Sequence, residues 1–132
     1  MKIYQLDIKT TKREEIIRIT PEINAKIKQL EIQNGICYVF VPHTTAGITI
    51  NENADENVKK DFLFILKKIV PQAKEYLHSE GNSDSHVKAI LTGFSQNIII
   101  QDGKLRLGTW QELWFCEYDG PRTRKVVLAL DD

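Results

Sequence analysis

The stretch Phe94-Ser95-Gln96-Asn97-Ile98-Ile99-Ile100-Gln101, with the turn pair Asp102-Gly103 behind it, decides the architecture of this chain. Its β-branched run is too short for a buried helix and ends on a dipeptide suited to a two-residue hairpin turn. Working outward toward the C-terminus, Gln111 to Tyr118 repeats the pattern, Asp119-Gly120-Pro121 supplies another turn, and Arg124 to Leu130 closes the chain. The spacing predicts three strands, read as an antiparallel meander.

Working outward toward the N-terminus, Tyr4, Leu6 and Ile8 alternate with polar residues, and Thr10-Thr11-Lys12-Arg13 leads into Glu15 to Ile19, a candidate β-hairpin. Thr20-Pro21-Glu22 offers a cap, an N-terminal proline and an early acid for a short helix carrying Ile23, Ile27 and Leu30. Ile36 to Val41 is apolar throughout, as in a central strand covered on both faces, and Gly47 to Ile50 reads as its neighbour after Pro42. Asn53 or Asp55 can cap a helix whose Val58, Phe62, Ile65, Leu66 and Ile69 share one stripe and which Pro71 ends. Tyr76 to His86 is polar, with Asp84 or Ser85 able to start a short helix that Gly93 stops. About seven mainly antiparallel strands and two or three helices make an α+β fold, helices packed on a sandwich-like pair of sheets, in one domain over residues 1–132.

A chain of 132 residues can bury one core and not two. Hydrophobic residues at 42% and charged residues at 27% are globular values, which excludes disorder and low complexity for the chain as a whole. Lys and Arg balance Asp and Glu at 18 each, so the basic excess of a duplex nucleic-acid binder is missing and any anion site must be local. Two cysteines, Cys37 and Cys116, lie inside apolar runs and lack the spacing of a disulfide framework. The N-terminal residues lack an apolar signal core and no segment approaches a membrane-spanning length. The expected setting is the cytoplasm, with no nucleic acid and no membrane as partner.

Three histidines come first among chemical groups. His43 follows a strand and a proline, while His78 and His86 bracket the polar loop. Their spacing fits independent surface histidines, and it equally fits a tertiary site that binds a transition metal or moves protons near neutral pH. His78-Ser79-Glu80 has the H-x-E element of zinc deaminases, but Cys37 and Cys116 cannot supply its cysteine pair. H-E-x-x-H, G-x-S-x-G and the phosphate-loop motif are absent, which removes the standard zinc-protease, serine-hydrolase and P-loop readings. Asn51-Glu52-Asn53-Ala54-Asp55 precedes a helix, where it serves as a capping segment or as a polar ligand site with Glu52 or Asp55 handling a proton or hydrated Mg²⁺. Gly81-Asn82-Ser83 and Gly108-Thr109 offer NH groups to an anion, and Arg122 and Arg124, two apart, share one side of an extended segment. Trp110 and Trp114 read as core or interface anchors.

Taken in order, His43-Thr44-Thr45-Ala46-Gly47-Ile48-Thr49-Ile50-Asn51-Glu52-Asn53-Ala54-Asp55, His78-Ser79-Glu80-Gly81-Asn82 with His86, Leu107-Gly108-Thr109-Trp110-Gln111, and Asp119-Gly120-Pro121-Arg122 resemble the signature blocks of the YjbQ family. The match runs along nearly the whole chain. Glu56, where the family often has proline, and Phe94, where a smaller residue or proline often stands, depart from it. The resemblance implies a seven-stranded sandwich, a homotrimer, and a thiamine-phosphate synthase type of reaction: a hydroxymethylpyrimidine diphosphate joined to a thiazole phosphate with release of pyrophosphate. On that basis His43, His78 and His86 form the catalytic or metal-binding centre, holding a divalent ion such as zinc or magnesium, with Glu52 or Asp55 as acid, base or supporting carboxylate. Thr44, Thr45, Asn51, Asn53, Asn82, Gly108, Thr109 and Arg122 contact the phosphorylated ligand. Trp110, Trp114 and the apolar C-terminal strand carry the surplus apolar surface that a trimer would cover. Two other readings need the same residue types: a trimeric, non-enzymatic module binding a phosphorylated metabolite, and a metal-dependent phosphate-ester hydrolase.

Overall fold

Residues 1–131, which the computed structural model describes, form eight strands and three helices. In chain order these are β1 (Lys2–Lys9), β2 (Glu15–Arg18), α1 (Thr20–Gln29), β3 (Gly35–Phe40), β4 (Ala46–Glu52), α2 (Glu56–Ile69), α3 (Ser83–Thr92), β5 (Ser95–Gln101), β6 (Lys104–Leu105), β7 (Gln111–Glu117) and β8 (Thr123–Asp131). The strands make a five-stranded sheet ordered β1-β8-β3-β5-β6 and a three-stranded sheet ordered β2-β7-β4, antiparallel throughout. The expected α+β sandwich is what forms.

Its pairing differs from the sequence reading in three places, for one physical reason. β7 and β8 lie in different sheets and β5 pairs with β3 and β6, so the three C-terminal strands are not a meander. Likewise β1 and β2 are not a hairpin, and β4 is not the ladder neighbour of β3. Leu113 and Phe115 of β7 and Val126, Leu128 and Leu130 of β8 enter one core from opposite sides. Burying both inner faces requires stacking the strands across the core, which side-by-side pairing cannot do. The segment after β1 binds the turn after β7 instead of closing a hairpin, with Thr10 N donating to Arg122 O at 2.9 Å and Gly120 N to Arg13 O at 3.0 Å. Asp102-Gly103 does make its tight turn, both residues at positive φ, and β5 and β6 flank it.

The strand covered on both faces is β7, not β3. Leu113 and Phe115 point between the sheets, whereas Trp114 and Cys116 point outward with Tyr118 beneath α2 and α3. Trp114 meets Phe62 of α2 edge-on, ring centroids 5.8 Å apart, so it belongs to the core and offers no surface to a partner. On β3, Cys37 and Val39 are buried while Ile36 and Phe40 face out at 39% and 48% exposure. With Ile3 and Ile99 they leave an apolar patch uncovered on the outer face of the five-stranded sheet, which also carries Gln5, Asp7, Asn97 and Lys125. α1 fills one end of the sandwich with Ile23 and Ile27, and its Thr20 hydroxyl accepts from Leu113 N instead of capping the helix. The α2 stripe turns slightly from expectation: Leu66 is buried with Val58, Phe62 and Leu63 beside it, and Ile65 and Ile69 face outward. Among the described residues no helix is long and apolar enough to cross a membrane.

Candidate functional site

Two chain crossovers between the sheets meet at one corner of the sandwich. Pro42 cannot donate to a ladder and stops β3, so His43, Thr44 and Thr45 carry the chain across to β4. Glu117 to Arg124 makes the return crossing from β7 to β8. The loop before α3, with His78, Glu80 and Asn82, closes the third side, and His86 projects from the first turns of that helix. α3 starts at Ser83 with Asn82 in the cap position, earlier than expected, because Asp84 and Ser85 are engaged elsewhere: the Ser85 hydroxyl donates to Tyr118 O at 2.6 Å, and Asp84 accepts from Arg13 and Lys88.

The result is an open polar cleft of about 400 Å³ lined by Pro42, His43, Thr44, Thr45, His78, Glu80, Asn82, His86, Asp119, Arg122 and Arg124. It unites all three histidines despite their separation in sequence. A neighbouring groove lined by Phe40, Val41, Phe94, Pro42, His43 and Thr44 is almost wholly apolar and shares the last three residues with the cleft. A further cleft of similar size, beside Arg13, Glu14, Lys67 and Lys88, is less suited to a ligand because its buried ammonium is already paired with Glu14 and Asp84.

Hydrogen bonding gives each histidine a different capacity. His43 Nε2 accepts the Lys125 backbone N–H at 2.9 Å, so in the neutral ring the proton sits on Nδ1 and that edge is a donor. Burial first, and then the nearby Arg124 guanidinium, holds its pKa below the ordinary imidazole value, and Glu117 opposes this only in part. His78 and His86 stack edge to face with centroids 5.1 Å apart, and His78 Nε2 lies 3.8 Å from Glu80 Oε1. Among the described residues no three His, Cys, Asp or Glu side chains are grouped to hold a metal ion. With His43 Nε2 committed to the Lys125 backbone, the three-histidine metal centre does not fit these side chains as they stand.

The rim is held by a compact set of bonds. Arg122 donates from Nε to Asp119 O at 2.7 Å and from Nη2 to Asp119 Oδ2 at 2.9 Å, and Asn82 Nδ2 reaches the same carboxylate oxygen at 2.7 Å. Gly120 has no room for a side chain: a Cβ there would strike the Lys12 carbonyl oxygen and come within 2.8 Å of Thr10 Oγ1. Beneath the rim, Glu117 and Arg124 form a buried ion pair, which also takes in Thr10 and Thr45.

His43, Thr44, Thr45, His78, Asn82, His86 and Arg122 therefore stand together. Asn51, Glu52, Asn53, Asp55, Gly108 and Thr109 do not join them. They sit at or beyond the far end of β4, where Asn51, the nearest along the strand, is six residues from Thr45, roughly 20 Å at strand rise. There Asp55 caps α2 by accepting Asn57 N at 2.9 Å, Asn51 Oδ1 accepts Glu52 N at 2.7 Å, and Gly108 N donates to Gln111. Asn53 N donates to Trp110 O, and the Trp110 side chain is 64% exposed. Sequence reasoning passed over Glu117 and took Arg124 only as a companion of Arg122. The signal was present in both: Arg124 occupies the inward register shared with Val126, Leu128 and Leu130, and Glu117 interrupts a run buried from Leu113 to Tyr118.

A two-sheet sandwich with helices on its smaller sheet and a histidine- and arginine-lined cleft at a corner is the class this chain defines. The chain belongs to the YjbQ family, whose UPF0047 protein YjbQ-like model matches residues 4–131. It is 52% identical to a UPF0047 protein of Methanocaldococcus jannaschii over 128 residues, 97% of this chain and 93% of that protein. The UPF0047 protein YugU of Bacillus subtilis is also 52% identical, over 126 residues, 95% of this chain and 96% of the relative. Among solved structures, a YjbQ/UPF0047 family protein from Clostridium acetobutylicum superimposes with a TM-score of 0.92 at 48% identity, covering 96% of this chain and 98% of that one.

Proposed function

We propose that the cleft binds a phosphorylated small molecule and that the protein is a transferase of the thiamine-phosphate synthase type, joining a pyrimidine diphosphate to a thiazole phosphate with release of pyrophosphate. The observation carrying this reading is the meeting of three histidines and two arginines in one polar cleft beside an apolar groove. Displacement at a diphosphate needs cations and N–H donors on the leaving oxygens and a surface that orients the ring. Arg122, Asn82, Thr44, Thr45 and the Nδ1–H of His43 suit the first need, while Phe40, Val41 and Phe94 suit the second. His78 and His86, whose rings are not bonded to the backbone, are the groups suited to move a proton.

The non-enzymatic alternative, a binding module for a phosphorylated metabolite, draws support from the distance of Glu52 and Asp55 from the cleft. A homotrimer accords with either reading. Its physical support is the uncovered sheet face bearing Ile3, Ile36, Phe40 and Ile99. The deciding experiment is turnover by protein purified without an affinity tag. Pyrophosphate release should require both phosphorylated substrates and vanish in His86→Ala. Absence of release from these substrates, with phosphorylated ligands still bound, would leave the binding module as the function.

A further inference from the structure

Arg124 is 4% exposed, an unusual place for a guanidinium. Its Nε donates to both Glu117 oxygens, at 2.8 and 3.1 Å, and its Nη2 donates to Glu117 Oε2 and to Thr45 Oγ1 at 2.9 Å. Its Nη1 makes no hydrogen bond to any described residue, yet it is not among the polar atoms sealed from solvent. Arg124 lines the histidine cleft, and this nitrogen is the one open corner of an otherwise saturated side chain.

Glu117 has no exposure at all, and its acceptors are filled. Besides Arg124 it accepts Thr10 Oγ1 at 2.7 Å and Asp119 N at 3.1 Å, and Thr10 Oγ1 in turn accepts Arg122 N at 2.8 Å. One carboxylate thus fixes the cleft floor through Arg124 and the rim through Asp119 and Arg122. A buried ion pair is a poor device for stability, because an apolar pair of similar volume often does as well. It is a good device for holding a dipole still, with the carboxylate behind and the cation in front. Arg122 differs: it is half-exposed, and Asp119 takes two of its nitrogens.

Resting on the phosphate reading above, we infer that Arg124 is the principal contact for the ligand's phosphoryl oxygens and that Glu117 is the positioning residue that holds it. Donors come from the floor and the rim and not from one plane, which suits a tetrahedral phosphoryl group better than a planar carboxylate.

The test is calorimetric titration of the full-length protein with pyrophosphate, and with acetate for contrast, near neutral pH and well below each variant's melting temperature. Arg124→Lys keeps a positive charge beside Glu117 but removes the open corner, and it should weaken pyrophosphate binding by about tenfold to a hundredfold, the worth of one charge-assisted hydrogen bond. Arg122→Gln should cost less. In Arg124→Ala, millimolar guanidinium should restore binding and methylammonium should not. The double variant Arg124→Ala with Glu117→Gln should not be rescued, because nothing remains to hold the guanidinium in place; a structural role for Glu117 alone would not predict that dependence. Binding by Arg124→Lys equal to wild type, a larger loss in Arg122→Gln, or acetate binding as tightly as pyrophosphate would overturn the inference while leaving a ligand cleft in place. Failure of Arg124→Lys to fold would assign the pair to stability alone and overturn it too. Failure of wild type to bind pyrophosphate would remove the phosphate reading itself.

Discussion

Replacing Lys88 by methionine removes one charge from the buried network that fastens α3 to the rest of the molecule. The Lys88 side chain is 2% exposed, and its Nζ lies 2.6 Å from Glu14 Oε2 and 3.1 Å from Asp84 Oδ2. Methionine fills nearly the same volume, so little cavity cost enters. Breaking a buried pair from one side costs about 3–5 kcal/mol because the remaining charge is stranded. Two features place Lys88→Met at the lower end. Asp84 keeps both terminal nitrogens of Arg13, and Glu14 is 20% exposed and can turn to water. Unfolding entropy of about 2.1 cal/mol/K per residue amounts to roughly 0.28 kcal/mol/K for a chain of this length, so a loss of about 3 kcal/mol lowers the melting temperature by about 10 °C. The pH dependence supplies an internal check. Burial pushes the Asp84 carboxyl up, but hydrogen bonds and charge from Arg13 and Lys88 outweigh it and leave the group below its ordinary value. A depressed carboxylate stabilises the fold above its unfolded pKa of about 4 and loses that contribution as pH falls through the folded value. The gap between wild type and variant should therefore be full at neutral pH and narrow below about pH 4. Thermal denaturation followed by circular dichroism reads both. A drop under about 3 °C at neutral pH, well short of the shift worked above, or a gap that stays constant into acid, would refute the assignment of Lys88 as a charge partner.

Two further outcomes follow from other parts of the molecule. The His43 ring should titrate below about 6.5 by NMR, and Arg124→Gln should raise its midpoint by removing a nearby positive charge; an unchanged midpoint would separate the two residues electrostatically. Light scattering at micromolar concentration should give a trimer mass for wild type and a smaller species for Phe40→Glu, which puts a charge on the uncovered sheet face; a wild-type monomer would remove that face as an interface.

Element types were largely legible because they depend on local period. Tyr4 to Ile8, Ile36 to Val41, Phe94 to Gln101 and Arg124 to Leu130 all carry strand patterns, and strands form there. Pairing was not legible, since period two says that a strand has an inner face without saying which strand lies across the ladder and which across the core. The continuous apolar run of β3 looked buried on both sides for the same reason: Ile36 and Phe40 are as hydrophobic as Cys37 and Val39, and only the missing outer layer distinguishes them. At the site, the histidine-bearing blocks could be read from sequence, and their convergence follows from the docking of α3 and the loop before it beside the β3–β4 crossover. The Asn51 to Asp55 and Gly108-Thr109 segments looked equally chemical, because capping and ligand binding draw on the same polar groups and differ only in what stands opposite them. Glu117 and Arg124 were camouflaged by their strands, where a single charge ordinarily faces water.

The way α3 is attached bears on how the histidine cleft opens. Its apolar residues Val87, Ile90 and Leu91 are exposed, and Ala89 is the one hydrophobic side chain it buries. It is fastened mainly by directional bonds: Arg13 and Lys88 to Asp84, Ser85 to Tyr118 O, and Thr92 Oγ1 with Tyr118 OH at 2.6 Å. Detaching such a helix uncovers Ala89 and part of the Cys116 and Tyr118 surface beneath it, less apolar area than opening the sandwich core, so the opening carries a smaller denaturant slope and heat-capacity change than global unfolding. Amide exchange in α3 should respond to low urea less steeply than exchange in the core strands. The wall bearing His86 can thus come loose as a separate unit, on a free-energy scale set more by polar geometry than by the solvophobic collapse that holds the sandwich together.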